Sequence, residues 1–121
     1  MRPYLVDHFE TEDGRVTGQA SPDTWRRPIS SDTADQVAEM MVNAVETGYA
    51  QGAMIDGLVV GGKTGTAELG NGDPHALFIG FVGASDPRYA IAVILEGGGS
   101  GPNYALTIGR DVLAAAMLNE S

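Results

Sequence analysis

The chain has 121 residues, 43% of them hydrophobic and 19% charged, with a formal net charge of −9; that is one domain's worth of chain. So acidic a surface repels phosphate backbones and argues against nucleic acid as a partner. Cysteine is absent, which excludes disulfides and thiolate chemistry, and the longest apolar run, Tyr89 to Leu95, is too short to span a membrane.

In chain order, residues 1–29 read as an irregular or extended lead-in. The Leu5-Val6 pair sits among turn formers such as Asp13-Gly14, and Pro22 and Pro28 block a regular helix near the end. No signal-peptide pattern opens the chain, so any export signal or anchor is expected upstream. A helix is expected over roughly 31–47. Ser30, Ser31 or Asp32 can cap it, and Thr33 with Gln36 has capping-box spacing. Val37, Met40, Met41, Ala44 and Val45 form one apolar stripe, with the two methionines as helix core, and Gly48 is a natural stop.

A strand then runs from Leu58-Val59-Val60 through Gly61-Gly62-Lys63-Thr64-Gly65-Thr66-Ala67. Residues 69–75 are turn formers, with Asn71-Gly72 a strong hairpin signal. A second strand follows at Ala76–Val82, a turn at Ser85-Asp86-Pro87-Arg88, and a third strand at Tyr89–Glu96, giving an antiparallel meander. The second and third strands are apolar on both sides of the pleat, which predicts a sheet covered on both faces. A Gly-rich loop, 97–101, leads to a last helix over about 104–119, with Ile108, Val112, Ala115 and Ala116 placed to lie on the sheet. The fold class is α+β: helix, three strands, helix. The third strand looks central, so its apolar edge needs a neighbour that this chain does not supply.

Lys63 is the only lysine, and two motifs claim it. Gly57 through Thr64 matches G-x-x-x-x-G-K-[ST], the phosphate-binding loop. That loop needs a strand before its first glycine and a helix after its threonine. Here the apolar strand lies inside the would-be loop, and Gly65-Thr66-Ala67-Glu68-Leu69-Gly70-Asn71-Gly72 starts no stable helix. The other claim is Lys63-Thr64-Gly65, a signature of penicillin-binding proteins and β-lactamases. Around it stand Arg2-Pro3-Tyr4-Leu5-Val6, the Met-rich helix, Val60-Gly61-Gly62-Lys63-Thr64-Gly65-Thr66-Ala67-Glu68, Phe78-Ile79-Gly80-Phe81, Ala92-Val93-Ile94-Leu95-Glu96 and Ile108-Gly109-Arg110. This ordered series, spanning nearly all of 1–121, resembles the C-terminal part of the transpeptidase domain of class B penicillin-binding proteins. Leu77, where the family usually has a bulky aromatic, and Gly48-Tyr49-Ala50, where it commonly has Gly-Thr-Ala, are departures that leave the chemistry alone.

The resemblance implies a five-stranded antiparallel sheet with helices on both faces, of which this chain holds three strands. It implies a peptidoglycan DD-transpeptidase acting through an acyl-serine intermediate and blocked by β-lactams. Lys63 then supplies a fixed positive charge beside the nucleophile, and the hydroxyls of Thr64 and Thr66 reach the substrate carboxylate. Gly65 clears space for the substrate backbone, and the Thr66 backbone N–H is half of the oxyanion hole. The stem peptide joins the strand edge as an added strand. No metal or cofactor is called for. The family's S-x-x-K and S-x-N motifs are missing: no serine has lysine three places on or asparagine two places on. The nucleophile is therefore expected on the remainder of the domain, held at the extracytoplasmic face of the membrane by an upstream anchor, and the isolated chain is expected to be inactive. His8 and His75 read as surface or loop histidines distant from any carboxylate arrangement, and the acids of 7–13 and Glu68 as solvated. Two other readings stay open: a non-catalytic module binding wall peptide or a partner through the strand edge, and a nucleotide binder through Gly57–Thr64.

Overall fold

The structure, a computed structural model, describes residues 2–21, 23–83, 86–99 and 104–118. The chain divides into two compact units, residues 1–33 and 34–121.

In the first unit the expected irregular lead-in holds a hairpin. Strands β1, His8–Glu10, and β2, Val16–Gln19, pair antiparallel with an irregularity between Phe9 and Glu10. The turn is the Asp13-Gly14 dipeptide, with Gly14 at φ 79°, a left-handed conformation that glycine adopts without a Cβ clash. Gly14 and Arg15 close it through bonds to and from Thr11. Strands of three and four residues are too short for alternation to register in the sequence; only the Asp-Gly signal betrays them.

Helix α1, Ser31–Glu46, begins where expected. Its cap is Ser30, whose Oγ accepts from the Thr33 N–H at 3.2 Å and meets the Thr33 hydroxyl at 2.9 Å; threonine thus takes the place the acid or amide of a capping box would fill. The helix ends as the Ala50 N–H turns back onto the Ala44 carbonyl. The expected apolar stripe is only partly covered. Val45 is buried, Met41 and Ala44 are half-buried, and Val37 and Met40 remain 43% and 63% exposed. Met40 is therefore not core among the described residues.

The second unit is built on β3, Val60–Ala67, β4, His75–Val82, and β5, Tyr89–Leu95, paired antiparallel in the order β3-β4-β5. A 3-10 turn at Gln51–Ala53 precedes them. Leu58 is spent on a bridge to Ile55 around Gly57, so the first strand starts two residues later than predicted. The register runs unbroken from Val60–Val82 to Ala67–His75, and from Ala76–Leu95 to Val82–Tyr89. One face carries Val60, Gly62, Phe78 and Val82 together with Ile91, Val93 and Leu95, and this is where the core lies. The other face carries Lys63, Ile79 and Ile94, of which the two isoleucines are 50% and 65% exposed. The chain's own helices cover one face only: a Cβ on Gly62 would meet Val45 of α1, and one on Gly109 would meet Phe78.

Helix α2, Tyr104–Leu118, lies on that covered face with Ala105, Leu106, Gly109 and Leu113 inward. The expected inward set differs. Ile108 and Val112 are 44% and 51% exposed and Ala115 is exposed, while Ala116 is half-buried. Gly109 decides the orientation. A Cβ there would stand 2.4 Å from the Phe78 ring, so the helix makes its closest approach along the row containing the glycine, and the larger aliphatic stripe turns outward.

Candidate active site

The first three residues of β3 are buried and the rest reach towards solvent. Val60, Gly61 and Gly62 fit because the glycines make room: a Cβ on Gly61 would lie 2.3 Å from Phe81, and one on Gly62 2.8 Å from Phe78. Gly65 is different. Its hypothetical Cβ meets nothing nearer than Leu77 at 3.5 Å, an ordinary contact. Packing within the chain gives no reason for a glycine there.

The direction of the backbone groups follows from one bond. The Gly83 N–H donates to the Val59 carbonyl at 3.0 Å, one step before the Val60–Val82 pair. Hydrogen-bonded and non-bonded pairs alternate along an antiparallel ladder, so Gly61, Lys63, Gly65 and Ala67 bond to β4. The N–H and C=O groups of Thr64 and Thr66 therefore point away from β4, to the strand's free edge. Side chains alternate independently. Lys63 lies on the open face opposite Ile79, whereas Thr64 and Thr66 belong to the covered face opposite Phe78 and Ala76. Lys63 is exposed, and its Nζ donates to the Thr64 carbonyl oxygen. The ammonium thus curls over the edge to which that carbonyl points. No carboxylate pairs with Lys63 among the described residues.

All four candidate residues, Lys63, Thr64, Gly65 and Thr66, therefore meet at one free strand edge: an ammonium, two outward-directed amides, two accessible threonines and a bare glycine. Such an edge accepts an extended peptide by backbone pairing and offers a cation to a carboxylate. It does not suit a nucleotide. Gly62-Lys63-Thr64 are consecutive strand residues, with no helix following Thr64 to direct a fan of amides at phosphates.

The histidines depart from expectation. His8 is in β1, its Nδ1 2.9 Å from an Asp7 oxygen and its Nε2 2.9 Å from a Glu10 oxygen, so it stands between two carboxylates rather than apart from them. Those bonds, Asp7's first, hold its pKa above the ordinary 6.5. Nearby, the Thr11 hydroxyl and then Arg15 hold the Asp13 carboxyl below its ordinary value. These acids are bonded as well as solvated. His75 begins β4, half-buried, and its Nδ1 accepts the Gly97 N–H at 3.1 Å. No sequence signal foretold that contact; only the register brings the end of β5 beside the start of β4.

The penicillin-binding-protein transpeptidase domain matches residues 1–117, and the chain belongs to that family, in its class B. It is 39% identical to the peptidoglycan D,D-transpeptidase PbpA of Mycolicibacterium smegmatis, over 97% of this chain and 26% of that protein. Among solved structures, the ceftriaxone acyl-enzyme complex of penicillin-binding protein A from M. tuberculosis superposes with a TM-score of 0.85 at 36% identity. That match covers 96% of this chain and 28% of that one. The D,D-transpeptidase domain from Eggerthella lenta superposes at 0.80 with 34% identity, covering 98% and 28%. The chain spans about a quarter of the length of curated relatives such as the PbpA proteins it matches.

Proposed function

We propose that this chain is the C-terminal portion, residues 1–121, of a peptidoglycan DD-transpeptidase. In it β3 forms one wall of a cleft where a serine is acylated by a stem peptide or a β-lactam. The observation that carries this is the edge itself. Gly65 has no packing reason to be glycine, and it lies between two residues whose backbone groups face outward. A substrate strand lies along that edge, its backbone closest at Gly65. The Thr66 N–H points to where a carbonyl oxygen becomes an oxyanion, and a preorganised donor there contributes roughly 3 kcal/mol. Lys63, whose ammonium bonds among the described residues to a carbonyl of its own strand, turns towards the nucleophile and the substrate carboxylate. The threonine hydroxyls reach the same substrate from the covered side of the pleat, so contact with all four residues requires the ligand to straddle the edge.

The serine comes from the remainder of the domain, as Lys63 has no Ser-x-x-Lys serine beside it in sequence. That part also covers the open sheet face and pairs with β5, whose Ala90, Ala92 and Ile94 face the open side. Among the described residues no helix is long and apolar enough to cross a membrane. A segment outside this chain anchors the enzyme at the extracytoplasmic face, where its substrate lies.

The test is the second-order rate of acylation by a fluorescent penicillin, measured on a complete domain carrying this segment and on its Lys63→Ala variant. Losing a charge-assisted hydrogen bond costs about 1.5–3 kcal/mol, so the variant slows by at least ~10-fold. Its melting barely moves, since an exposed substitution changes stability by about 0.5 kcal/mol or less. Acylation at the wild-type rate, or loss through unfolding alone, overturns the assignment of Lys63.

A further inference from the structure

The end of the sheet beyond Thr66 holds a contact that the proposed chemistry does not use. His75 pairs in register with Ala67, the last residue of β3, and by the ladder alternation that pair exchanges backbone hydrogen bonds. The same residue's Nδ1 accepts the Gly97 N–H at 3.1 Å. Its neighbour Pro74 accepts the Gly99 N–H at 3.0 Å, and Gly98 turns back onto the Leu95 carbonyl at 3.2 Å. Residues 97–99, which follow β5, are thus strapped to the first two residues around the start of β4. The strap is built for glycine. Gly97 and Gly99 have φ of 62° and 72°, and a Cβ on Gly98 would lie 3.0 Å from both Ala76 and Leu95. One residue, His75, therefore fastens the end of β3 on one side and the turn after β5 on the other.

We propose that His75 is a positioning residue for the transpeptidase site. Its neutral imidazole, with Nδ1 as acceptor, fixes the 97–99 turn against the β3–β4 hairpin and thereby fixes the outward aim of the Thr66 N–H one residue before Ala67. This rests on the reading of Thr66 as oxyanion donor. An oxyanion donor works only when held where charge develops, and small displacements at a reacting centre cost large factors in rate.

The arrangement has a tautomer signature. Nδ1 accepts the Gly97 N–H, so the ring carries its proton on Nε2.

The experiment uses a complete domain carrying this segment, with three variants and two readouts. In nitrogen-correlated spectra the His75 ring should be protonated at Nε2, and the Gly97 amide should show a coupling across its hydrogen bond to Nδ1 that His75→Leu abolishes. In acylation by penicillin, His75→Leu should slow the first-order acylation step about two- to tenfold, the factor one neutral hydrogen bond supplies, while the affinity of the initial complex stays. His75→Asn places an amide oxygen near the Nδ1 position. It should recover most of the rate. A Gly97 amide with no coupling to His75 Nδ1, His75→Leu acylating at the wild-type rate, or His75→Asn no better than His75→Leu overturns the proposal. Should Lys63→Ala acylate like wild type while the Gly97 amide still couples to His75 Nδ1, the strap stands and the transpeptidase reading of the edge is what fails.

Discussion

Strand β3 changes character at Lys63. Before it, Val60, Gly61 and Gly62 are buried, and each glycine sits where a Cβ would collide with an aromatic ring. After it, Thr64, Gly65 and Thr66 are half-buried or exposed, and the glycine has room for a side chain. The same residue type thus answers two different demands four residues apart. Gly61 and Gly62 are set by what packs on them from inside the chain. Gly65 answers to no such neighbour, since a Cβ there would meet only Leu77 at an ordinary 3.5 Å. Sequence alone shows a run rich in glycine; only the neighbouring atoms separate the glycines that packing requires from the one it does not.

The comparison breaks most readily at Phe78, across from Thr64 and fully buried. Phe78→Ala should cost about 3–5 kcal/mol, as buried phenylalanine truncations do, seen as a lower denaturant midpoint in a complete domain. A loss under 1 kcal/mol would mean the buried half of the sheet is not the core described here. A sharper contrast lies within the exposed half. Thr66→Pro removes an N–H that points to the free edge, where proline is tolerated. It should leave melting within about 1 kcal/mol of wild type yet slow acylation ~100-fold or more. Gly65→Pro removes an N–H that bonds to β4 and should unfold the hairpin instead. If the two prolines behave alike, the alternation deduced from the Gly83–Val59 bond is wrong.

The smallest effect belongs to the first unit. The His8 pKa is raised, so its contribution to the hairpin is complete below the ordinary 6.5 and is lost as pH rises through the raised value. Asp13 runs the other way: its pKa is lowered, so its contribution is present above the ordinary 3.8 and is lost as pH falls through the depressed value. Both groups are fully exposed, so the shifts rather than the stability are the measurable quantity. Proton spectra should give a His8 midpoint above 6.5 that moves down on Asp7→Asn and, by less, on Glu10→Gln. A midpoint unmoved by either change rejects the two-carboxylate arrangement.

Much of the second unit was readable beforehand, because its signals are local. The Asn71-Gly72 turn and the apolar runs of β4 and β5, like the Ser30 cap of α1, each lie within a few residues of what they determine. The Lys63–Thr66 segment stood out because its residue types have no packing logic of their own; its catalytic role is a proposal. The misjudged features depend on partners distant in sequence. Which side of α2 turns inward is settled by Phe78 meeting Gly109. The coverage of α1's stripe depends on what packs against it, and the role of His75 depends on Gly97, twenty-two residues on. The β1–β2 hairpin escaped for a different reason, since strands of three and four residues carry too few positions for a period to show.

The Phe78 ring has a consequence for how this sequence can vary. Three glycines, Gly62, Gly80 and Gly109, approach it from the neighbouring strand, its own strand and the helix. A Cβ on any of them would come within 2.9 Å of a ring atom. The ring and its three bare walls are therefore inherited as one unit: a methyl gained on any wall has to be matched by a smaller residue at 78. Because Thr64 sits directly across from that ring, such a compensated exchange would also shift the height of the strand carrying Lys63. Drift in this part of the core is thereby coupled to the free edge of β3, although none of the four residues touches it from outside.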